Sequence, residues 1–318
     1  MRVVVFGSIN VDTTLRVSRR PRWGETVLAG DALVAAGGKG ANQAAAAALL
    51  GSEPVFMVGR VGRDANGGYA RRELEHAGVV DRVVVDEHAT TGCAFIVGGR
   101  GGRNSIVVAS GANARTTLDD LVALEEPWAA TVLVLQLEVP VEAGAAAARL
   151  ARERGWHVVL NTAPVRQLPA GFLESADTLV ANEVETAQLT GRAVRDVPGA
   201  ILAGRALRKL GPSRVAVTLG EQGAVLVSGA RVLQAPAPRV AVVDTTAAGD
   251  AFVGCLAASI AEGCPDDVAL GRAVAAGSLT TTRAGAQPSI PRRKEMLGLA
   301  AAIDVRDVTS TVPASSRP

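Results

Sequence analysis

What this chain can fold into is constrained most by a rhythm of short apolar runs and alanine-rich stretches. Residues 2–6, 55–58, 132–135, 156–160, 178–180, 215–219 and 224–227 form brief, mostly apolar runs. Between them lie helix-like stretches at 64–77, 141–154 and 201–210, each stopped by a glycine: Gly78, Gly155 and Gly211. Glycine commonly follows a helix end because it reaches left-handed backbone angles without steric cost. Continuous apolar runs suit strands covered on both faces. Strands alternating with helices predict a parallel sheet between helical layers. With 318 residues and 48% hydrophobic content, the chain can bury a sizeable core in one large α/β domain or two small ones.

Two regions break the rhythm. Residues 11–36 carry no convincing helix pattern, and 91–110 read as two strands, 92–97 and 105–109, around the glycine-rich turn 98–102. Together they suggest a small antiparallel sheet standing off the main domain; the plainer reading is a surface hairpin. The last stretch, 304–318, is polar with Ser, Thr and Pro, and reads as a disordered tail.

Composition removes several function classes. The formal net charge is +2, no basic block is present and aromatics are 3%, which argues against nucleic acid as a partner. Cys93, Cys255 and Cys264 have no metal-binding spacing, and their odd number argues against a disulfide framework. His76, His88 and His157 are scattered and read as surface or packing residues. The apolar start at 2–6 is too short for a signal peptide, and no run approaches a transmembrane length. The expectation is a soluble cytoplasmic protein with no membrane partner.

Chemistry concentrates at Asp244-Thr-Thr-Ala-Ala-Gly-Asp250-Ala-Phe252. It follows a β-like apolar segment, 240–243, and opens an apolar run, 251–261, in which Phe252 and Leu256 recur at helical spacing. The first N–H groups of a helix lack intrahelical partners, and the helix dipole makes that end partly positive. Ala247, Ala248 and Gly249 leave room for an anion there. A carboxylate beside a phosphate is repulsive, so Asp250 calls for a reason. One is a base that takes a proton from a hydroxyl attacking a phosphoryl group. The other is a plain helix cap.

A second motif lies far away in sequence: Gly37-Gly-Lys39-Gly-Ala-Asn42-Gln-Ala44, followed by the alanine run 44–48, which makes a strong helix stopped by Gly51. Three glycines in four residues permit close backbone approach. Lys39 stands out because only Lys39, Lys209 and Lys294 interrupt an otherwise all-arginine usage. The spacing is neither a Walker A loop nor a dinucleotide fingerprint. On its own it also fits a glycine-rich turn with a solvated lysine.

Taken together, these two motifs resemble the two signatures of the ribokinase-like (PfkB) carbohydrate kinases. Further segments carry the resemblance in the same order: Gly7-Ser-Ile-Asn10-Val-Asp12, Gly24-Glu-Thr-Val27, Leu135-Gln-Leu-Glu138, Asn182-Glu-Val-Glu185, Thr218-Leu-Gly-Glu-Gln-Gly223 and Gly285-Ala-Gln-Pro-Ser-Ile-Pro291. Small departures are Ala248 where the broader family usually has glycine, Thr246 where isoleucine is frequent, and Ala251 in place of a common threonine.

The resemblance implies a three-layer α/β/α sandwich over 1–303 with a mostly parallel central sheet. A small β-sheet lid from about 11–36 and 91–110 would cover the sugar and form a homodimer contact. It implies a transferase of carbohydrate metabolism that phosphorylates D-ribose at its 5-hydroxyl with ATP, giving ribose 5-phosphate and ADP. Asp250 would be the catalytic base, and Ala247, Ala248 and Gly249 the anion hole. Asn10, Asp12, Gly38, Lys39, Asn42 and Glu138 match sugar-binding positions. Asn182, Thr218, Gly220, Glu221, Gly223 and Gly249 match ATP-binding positions, and Glu185 would hold Mg²⁺ through water. Asp244, backbone groups of Thr246, Thr280, Arg283 and Gly285, and the Ser289 hydroxyl match a K⁺ site. Each set has a plainer counterpart: an Asx pair at Asn10 and Asp12, an ordinary helix start at Asn182, a tight turn at 218–223, and packed loops around Asp244.

Two other readings compete: a kinase for deoxyribose, a fructose-type sugar or a nucleoside, and a non-catalytic sugar or nucleotide sensor. The predicted lid segments are nearly devoid of aromatics to receive a nucleobase, and an intact Asp250 argues against a sensor.

Overall fold

The computed structural model describes residues 1–98, 104–124 and 131–310. Sixteen strands occur in chain order among them. They are β1 Arg2–Phe6, β2 Asn10–Arg16, β3 Ala32–Gly37, β4 Val55–Val58, β5 Arg60–Gly62, β6 Val80–Asp81, β7 Val84–Asp86, β8 Gly92–Gly98 and β9 Asn104–Ala109. After the long excursion come β10 Thr131–Leu135, β11 His157–Asn161, β12 Thr178–Asn182, β13 Arg214–Thr218, β14 Ala224–Ser228, β15 Arg231–Ala235 and β16 Arg306–Asp307.

Ten strands form the main sheet in the order β16-β15-β14-β13-β12-β11-β10-β1-β4-β6. All pairs from β13 to β6 are parallel, and β14, β15 and β16 extend the sheet antiparallel at one edge. The alternation of side chains along β1 shows why the strands read as continuous apolar runs. Val3 and Val5 pack with the helices Lys39–Leu50, Ala65–His76, Ala248–Ala261 and Asp266–Thr280, whereas Val4 and Phe6 pack with Val141–Glu153 and Val197–Arg208. Both faces are sealed, so neither side of the strand needs polar residues.

The second sheet runs β3-β2-β8-β9. It comes from the two regions that broke the rhythm, but it is mixed rather than antiparallel: β2 and β8 are parallel, with Asn10 opposite Gly92. The reason is connectivity. β8 returns to β2 only after the Ala65–His76 helix, and a crossover of that length permits a parallel pair, whereas hairpins dictate antiparallel ones. The expected turn at 98–102 lies outside the described residues beyond Gly98.

Three further expectations are corrected. Segment 240–243 is not a strand. Val242 and Val243 are exposed, and the Val243 and Asp244 N–H groups both donate to the Thr281 carbonyl, so the end of the Asp266–Thr280 helix pins this segment instead of a sheet. The helix expected at 44–48 starts at Lys39, so the glycine motif itself supplies the first turn. Gly38 sits at its N-cap with φ 85°, and a Cβ on Gly40 would lie 2.6 Å from the Ser8 backbone nitrogen. The tail expected from 304 is ordered at its start, because β16 pairs with β15 and Val308 N–H donates to Val232 O. Residues 311–318 lie outside the described set.

One packing contact sets up the site. The Lys39–Leu50 and Ala248–Ala261 helices meet through small residues. A Cβ on Gly254 would lie 2.5 Å from the Gln43 carbonyl oxygen and 2.6 Å from Ala46 Cβ, and one on Gly51 would lie 2.8 Å from Ala258 Cβ. The order of these contacts makes the helices run side by side in the same sense, with both N-termini at the same end.

Candidate active site

That shared end lies over the C-terminal ends of the parallel strands, where open α/β sheets commonly gather ligand-binding residues. Ser8 and Asn10 follow β1, Gln136 and Glu138 follow β10, and Asn161, Asn182 and Thr218 close β11, β12 and β13. Asp250, in the first turn of the Ala248–Ala261 helix, is buried at 7% exposure. It does not cap its helix. Asn42 Nδ2 donates to its Oδ2 at 3.0 Å and Gln43 Nε2 to its Oδ1 at 3.0 Å, both from the neighbouring helix. Burial pushes the Asp250 carboxyl above its ordinary pKa, against the opposing pull of Lys39 and the two amide donors. That proton affinity suits a group that must accept a hydroxyl proton.

Lys39 is the cation of the cluster, its pKa raised chiefly by Asp250. Asp12, on β2, is pushed up to about 7 by burial first, then by Glu138 and Asp250, with Lys39 opposing. A Cβ on Gly37 would lie 2.1 Å from Asp12 Oδ2, so the glycine of the adjacent strand makes room for this carboxylate. Asp12 Oδ1 and Asn42 Oδ1 are buried without a protein partner. Orphan acceptors near the half-buried Lys39 fit a ligand bearing several hydroxyl groups.

Glu138 Oε2 accepts from Ser8 Oγ at 2.6 Å and from the Lys39 backbone N–H at 3.0 Å, placing its charge at the start of the Lys39–Leu50 helix. Asn10 Oδ1 accepts from Asn113 Nδ2 at 2.7 Å, while Asn113 also donates to Ile9 O and accepts from Ile9 N–H. The oxygen of Asn10 is thus occupied, and its N–H₂ is the end left to donate. Asn10 and Asp12 stand on a strand and do not form a loop-capping pair.

At the helix N-terminus Ala247 has φ 60°, a left-handed conformation at a non-glycine residue. The N–H groups of Gly249 and Asp250 precede the first intrahelical bond, from Ala251 N to Ala247 O. A Cβ on Gly249 would meet nothing within 4 Å, so space is open beside these donors.

The remaining predicted residues divide. Asn182 and Glu185 satisfy each other in a capping box, with bonds of 2.8 and 2.9 Å. Burial raises the Glu185 pKa, and Lys39 and Asp250 act on it electrostatically, so it also belongs to the cluster. In the 218–223 turn, Gly220 (φ 52°) faces open space, whereas a Cβ on Gly223 would lie 2.0 Å from Ala235 O. Gly223 is therefore required by packing against the segment that ends β15. Glu221 is exposed. Asp244 accepts from Thr246 N and Oγ1 (3.0 and 2.7 Å) and from Gly285 N (3.0 Å), tying two loops together. Burial pulls its pKa up, but these hydrogen bonds outweigh that and hold it low. Ser289 Oγ donates to Ala286 O, and Thr280 O accepts weakly from Arg283 N.

Sequence reasoning assigned no role to Gln43, Gln136, Ser8, Asn113 or Asn161. The first three lie inside quoted motifs. Asn161 carried a faint signal as a polar residue closing a buried apolar strand, and Asn113 carried none.

Among the described residues, no group of three or more His, Cys, Asp or Glu could hold a metal ion, and no helix is long and apolar enough to cross a membrane. The description "pfkB family carbohydrate kinase" matches residues 1–293. The chain is 35% identical over 298 residues to a ribokinase of Haemophilus influenzae, covering 93% of this chain and 97% of that protein. It is 36% identical over 305 residues to a deoxyribokinase of Salmonella typhi, covering 94% and 99% respectively. The solved structure of Arabidopsis thaliana ribokinase complexed with ribose and ATP matches with a TM-score of 0.85 at 34% identity, covering 94% of this chain and 98% of that one.

The raised pKa of Asp12 has a stability consequence with a definite sign. A carboxyl with an ordinary value of 3.8 and a folded value of about 7 stabilises the fold only while protonated, and that contribution is lost as pH rises from about 4 to about 7. Asp12→Asn removes the titration. Its stability relative to the unsubstituted protein is expected to improve by about 1–3 kcal/mol between pH 5 and pH 8 in urea unfolding. A difference that does not change with pH would mean that Asp12 is not held in this environment.

Proposed function

The chain belongs to the pfkB family of carbohydrate kinases, and from that premise we propose that it phosphorylates D-ribose at the 5-hydroxyl. The observation that carries this reading is the buried Asp250 carboxylate at an open helix N-terminus, oriented by Asn42 and Gln43 beside Lys39. Asn10, Asp12, Lys39, Asn42 and Glu138 bind the sugar. Asp250 takes the proton from O5 as O5 forms its bond to the γ-phosphorus of ATP. The bond from that phosphorus to the β,γ-bridging oxygen breaks, and ADP leaves with the electron pair. The N–H groups of Gly249 and Asp250, with Lys39, meet the charge on the transferred group. The nucleotide lies over Asn182, Thr218 and Gly220. The reading places the reaction in the cytoplasm.

Mg²⁺ supplies charge neutralisation on ATP phosphates when bound. Glu185 is a suitable carboxylate to hold it through water, since Mg²⁺ keeps several waters and needs few protein ligands. Asp250→Asn keeps the shape and removes the base. It is expected to lower kcat by about 10²–10⁴-fold with sugar affinity largely kept; near-normal turnover would remove Asp250 from the chemistry.

A second reading, 2-deoxyribose as the preferred sugar, is favoured by the 36% identity to a deoxyribokinase, against 35% to the ribokinase of Haemophilus influenzae. The orphan acceptors on Asp12 and Asn42 favour the sugar with more hydroxyls. Buried polar groups left unpaired by the wrong substrate are costly, so discrimination can be large. Coupled ADP release over a panel of ribose, deoxyribose, fructose and adenosine is expected to rank ribose first in kcat/KM. A higher value for any other member overturns the assignment.

K⁺ is proposed as an activator held by Asp244, carbonyls of Thr246, Thr280, Arg283 and Gly285, and Ser289. These are hard oxygen donors, and Asp244 Oδ2, which accepts only from Gly285 N–H, retains a lone pair. At equal ionic strength, activity should be higher in K⁺ than in Na⁺ or a bulky organic cation, and Asp244→Ala should abolish the difference. Equal rates in all three salts would exclude the site.

The four-stranded sheet is proposed as a lid and as a homodimer contact. Its strands expose Leu33, Val34, Phe95, Ile106, Val107 and Val108, an apolar area that a second copy would cover. Light scattering at micromolar concentration should give a dimer mass, and Val107→Asp a monomer; a monomeric parent protein would contradict this.

A further inference from the structure

Beneath Asp250 lies a chain of buried amides, of which only Gln43 has been given a role above. Gln43 and Gln136 are 0% and 1% exposed, and Asn161 is 7% exposed. Gln43 Nε2 donates both to Asp250 Oδ1 and to Asn161 Oδ1, each at 3.0 Å. Asn161 Nδ2 donates to the Val180 carbonyl at 3.1 Å, and Gln136 Nε2 donates to Gln43 Oε1 at 2.8 Å. Every amide orientation is forced by its neighbour. The Val180 carbonyl can only accept, so Asn161 must present its N–H₂ there and its oxygen to Gln43. Asn161 presents its oxygen, so Gln43 must turn its N–H₂ toward Asn161 and Asp250 and its oxygen toward Gln136, which meets it with an N–H. Gln136 Oε1 has no protein partner, and a Cβ on Gly7 would lie 1.8 Å from it. A buried polar side chain that leaves one of its own acceptors unpaired is retained at a cost.

We propose that Gln136 is a positioning residue for phosphoryl transfer: through Gln43, and with Asn161 as the second anchor, it holds one carboxylate oxygen of Asp250 in a fixed orientation. The proposal rests on Asp250 being the base, as assigned above. The chain ties that oxygen to the ends of β10 and β11 and to the middle of β12, while Oδ2 is bonded to Asn42. If the Gln43 amide were reversed, its oxygen would face the Asp250 carboxylate, and oxygen against oxygen is repulsive. It would also face Asn161 Oδ1, which the Val180 carbonyl holds in place, and the hydrogen bond from Gln136 Nε2 to Gln43 Oε1 would be lost.

Charged groups around Asp250 are Lys39 from the Lys39–Leu50 helix, Asp12 from β2, Glu138 after β10 and Glu185 from the Glu183–Thr190 helix. They are unchanged in the variants below, so differences between pH profiles report the amide chain. Gln136→Met keeps the bulk and removes the donor. It is expected to lower kcat about tenfold, to leave the KM values for sugar and ATP within about twofold, and to move the acidic limb of the kcat profile up by about one pH unit. The shift is upward because a less well-held donor stabilises the carboxylate less. Gln136→Glu gives a rescue. A protonated carboxyl still donates to Gln43 Oε1, so this variant should regain most of the lost kcat at low and neutral pH and lose it on the alkaline side as the carboxyl ionises. A folded Gln136→Met protein with the parent's kcat and pH profile overturns the proposal. So does a fall in kcat with no displacement of the profile and no rescue, since a merely structural role would give that result. If Gln136→Met does not fold, the alkaline loss in Gln136→Glu decides the question, and a parent-like profile there overturns it. Asp250→Asn separates the two readings: full activity in that variant removes the base itself, whereas an inactive Asp250→Asn with a parent-like Gln136→Met removes only this inference.

Discussion

The site depends on how closely two helices approach. The Lys39–Leu50 and Ala248–Ala261 helices touch along alanine and glycine, and a side chain at Gly254 has no room. Only at that separation do Asn42 and Gln43 reach the Asp250 carboxylate across the interface. Bulkier side chains along this contact would push the helices apart and hold the amides out of range. The same contact brings two helix N-termini together, each carrying roughly half a positive charge. This positive end and Lys39 offset the cluster of Asp12, Glu138, Glu185 and Asp250. The offset is incomplete, which is why burial and mutual repulsion still raise Asp12 and Asp250.

The sheet order then separates the two halves of the proposed reaction. Residues suited to the sugar come from the ends of β1 and β10 and from β2, while those suited to the nucleotide come from the ends of β12 and β13. From β13 to β1 there are four strand spacings, about 19 Å at about 4.8 Å each. Asn161 closes β11, in the middle of that span, and the amide chain to Asp250 passes through it. Asp250 is therefore tied to the centre of the sheet, between the two sets of residues.

Much of this was legible in the sequence because local rules and tertiary structure agree. The parallel strands announced themselves as apolar runs, and the helix stops fell at glycines that do adopt positive φ, such as Gly78 and Gly155. The two Gly/Ala motifs were found because close approach demands small residues, and that demand is visible as composition. What failed were readings that depended on partners. Segment 240–243 has the composition of a strand but no strand beside it. Residues 306–307 look like tail but find an open edge on β15. Asp250 as cap and Asp250 as partner of Asn42 and Gln43 are the same letter in the sequence, and only the helix pairing separates them. Asn113 was invisible for the same reason: its partners, Ile9 and Asn10, lie more than a hundred positions away.

Ala247 carries a different kind of information. Its φ of 60° costs an alanine about 1–2 kcal/mol that glycine would not lose. Glycine would also widen the range of angles open to the segment entering the helix. Keeping a methyl group there exchanges comfort for narrowness: the segment that aims the first N–H groups of the helix has fewer conformations to visit. Such a joint tolerates little sideways adjustment. A bulky change in the 244–246 segment could not be absorbed at this residue and would be passed on to the orientation of the helix end.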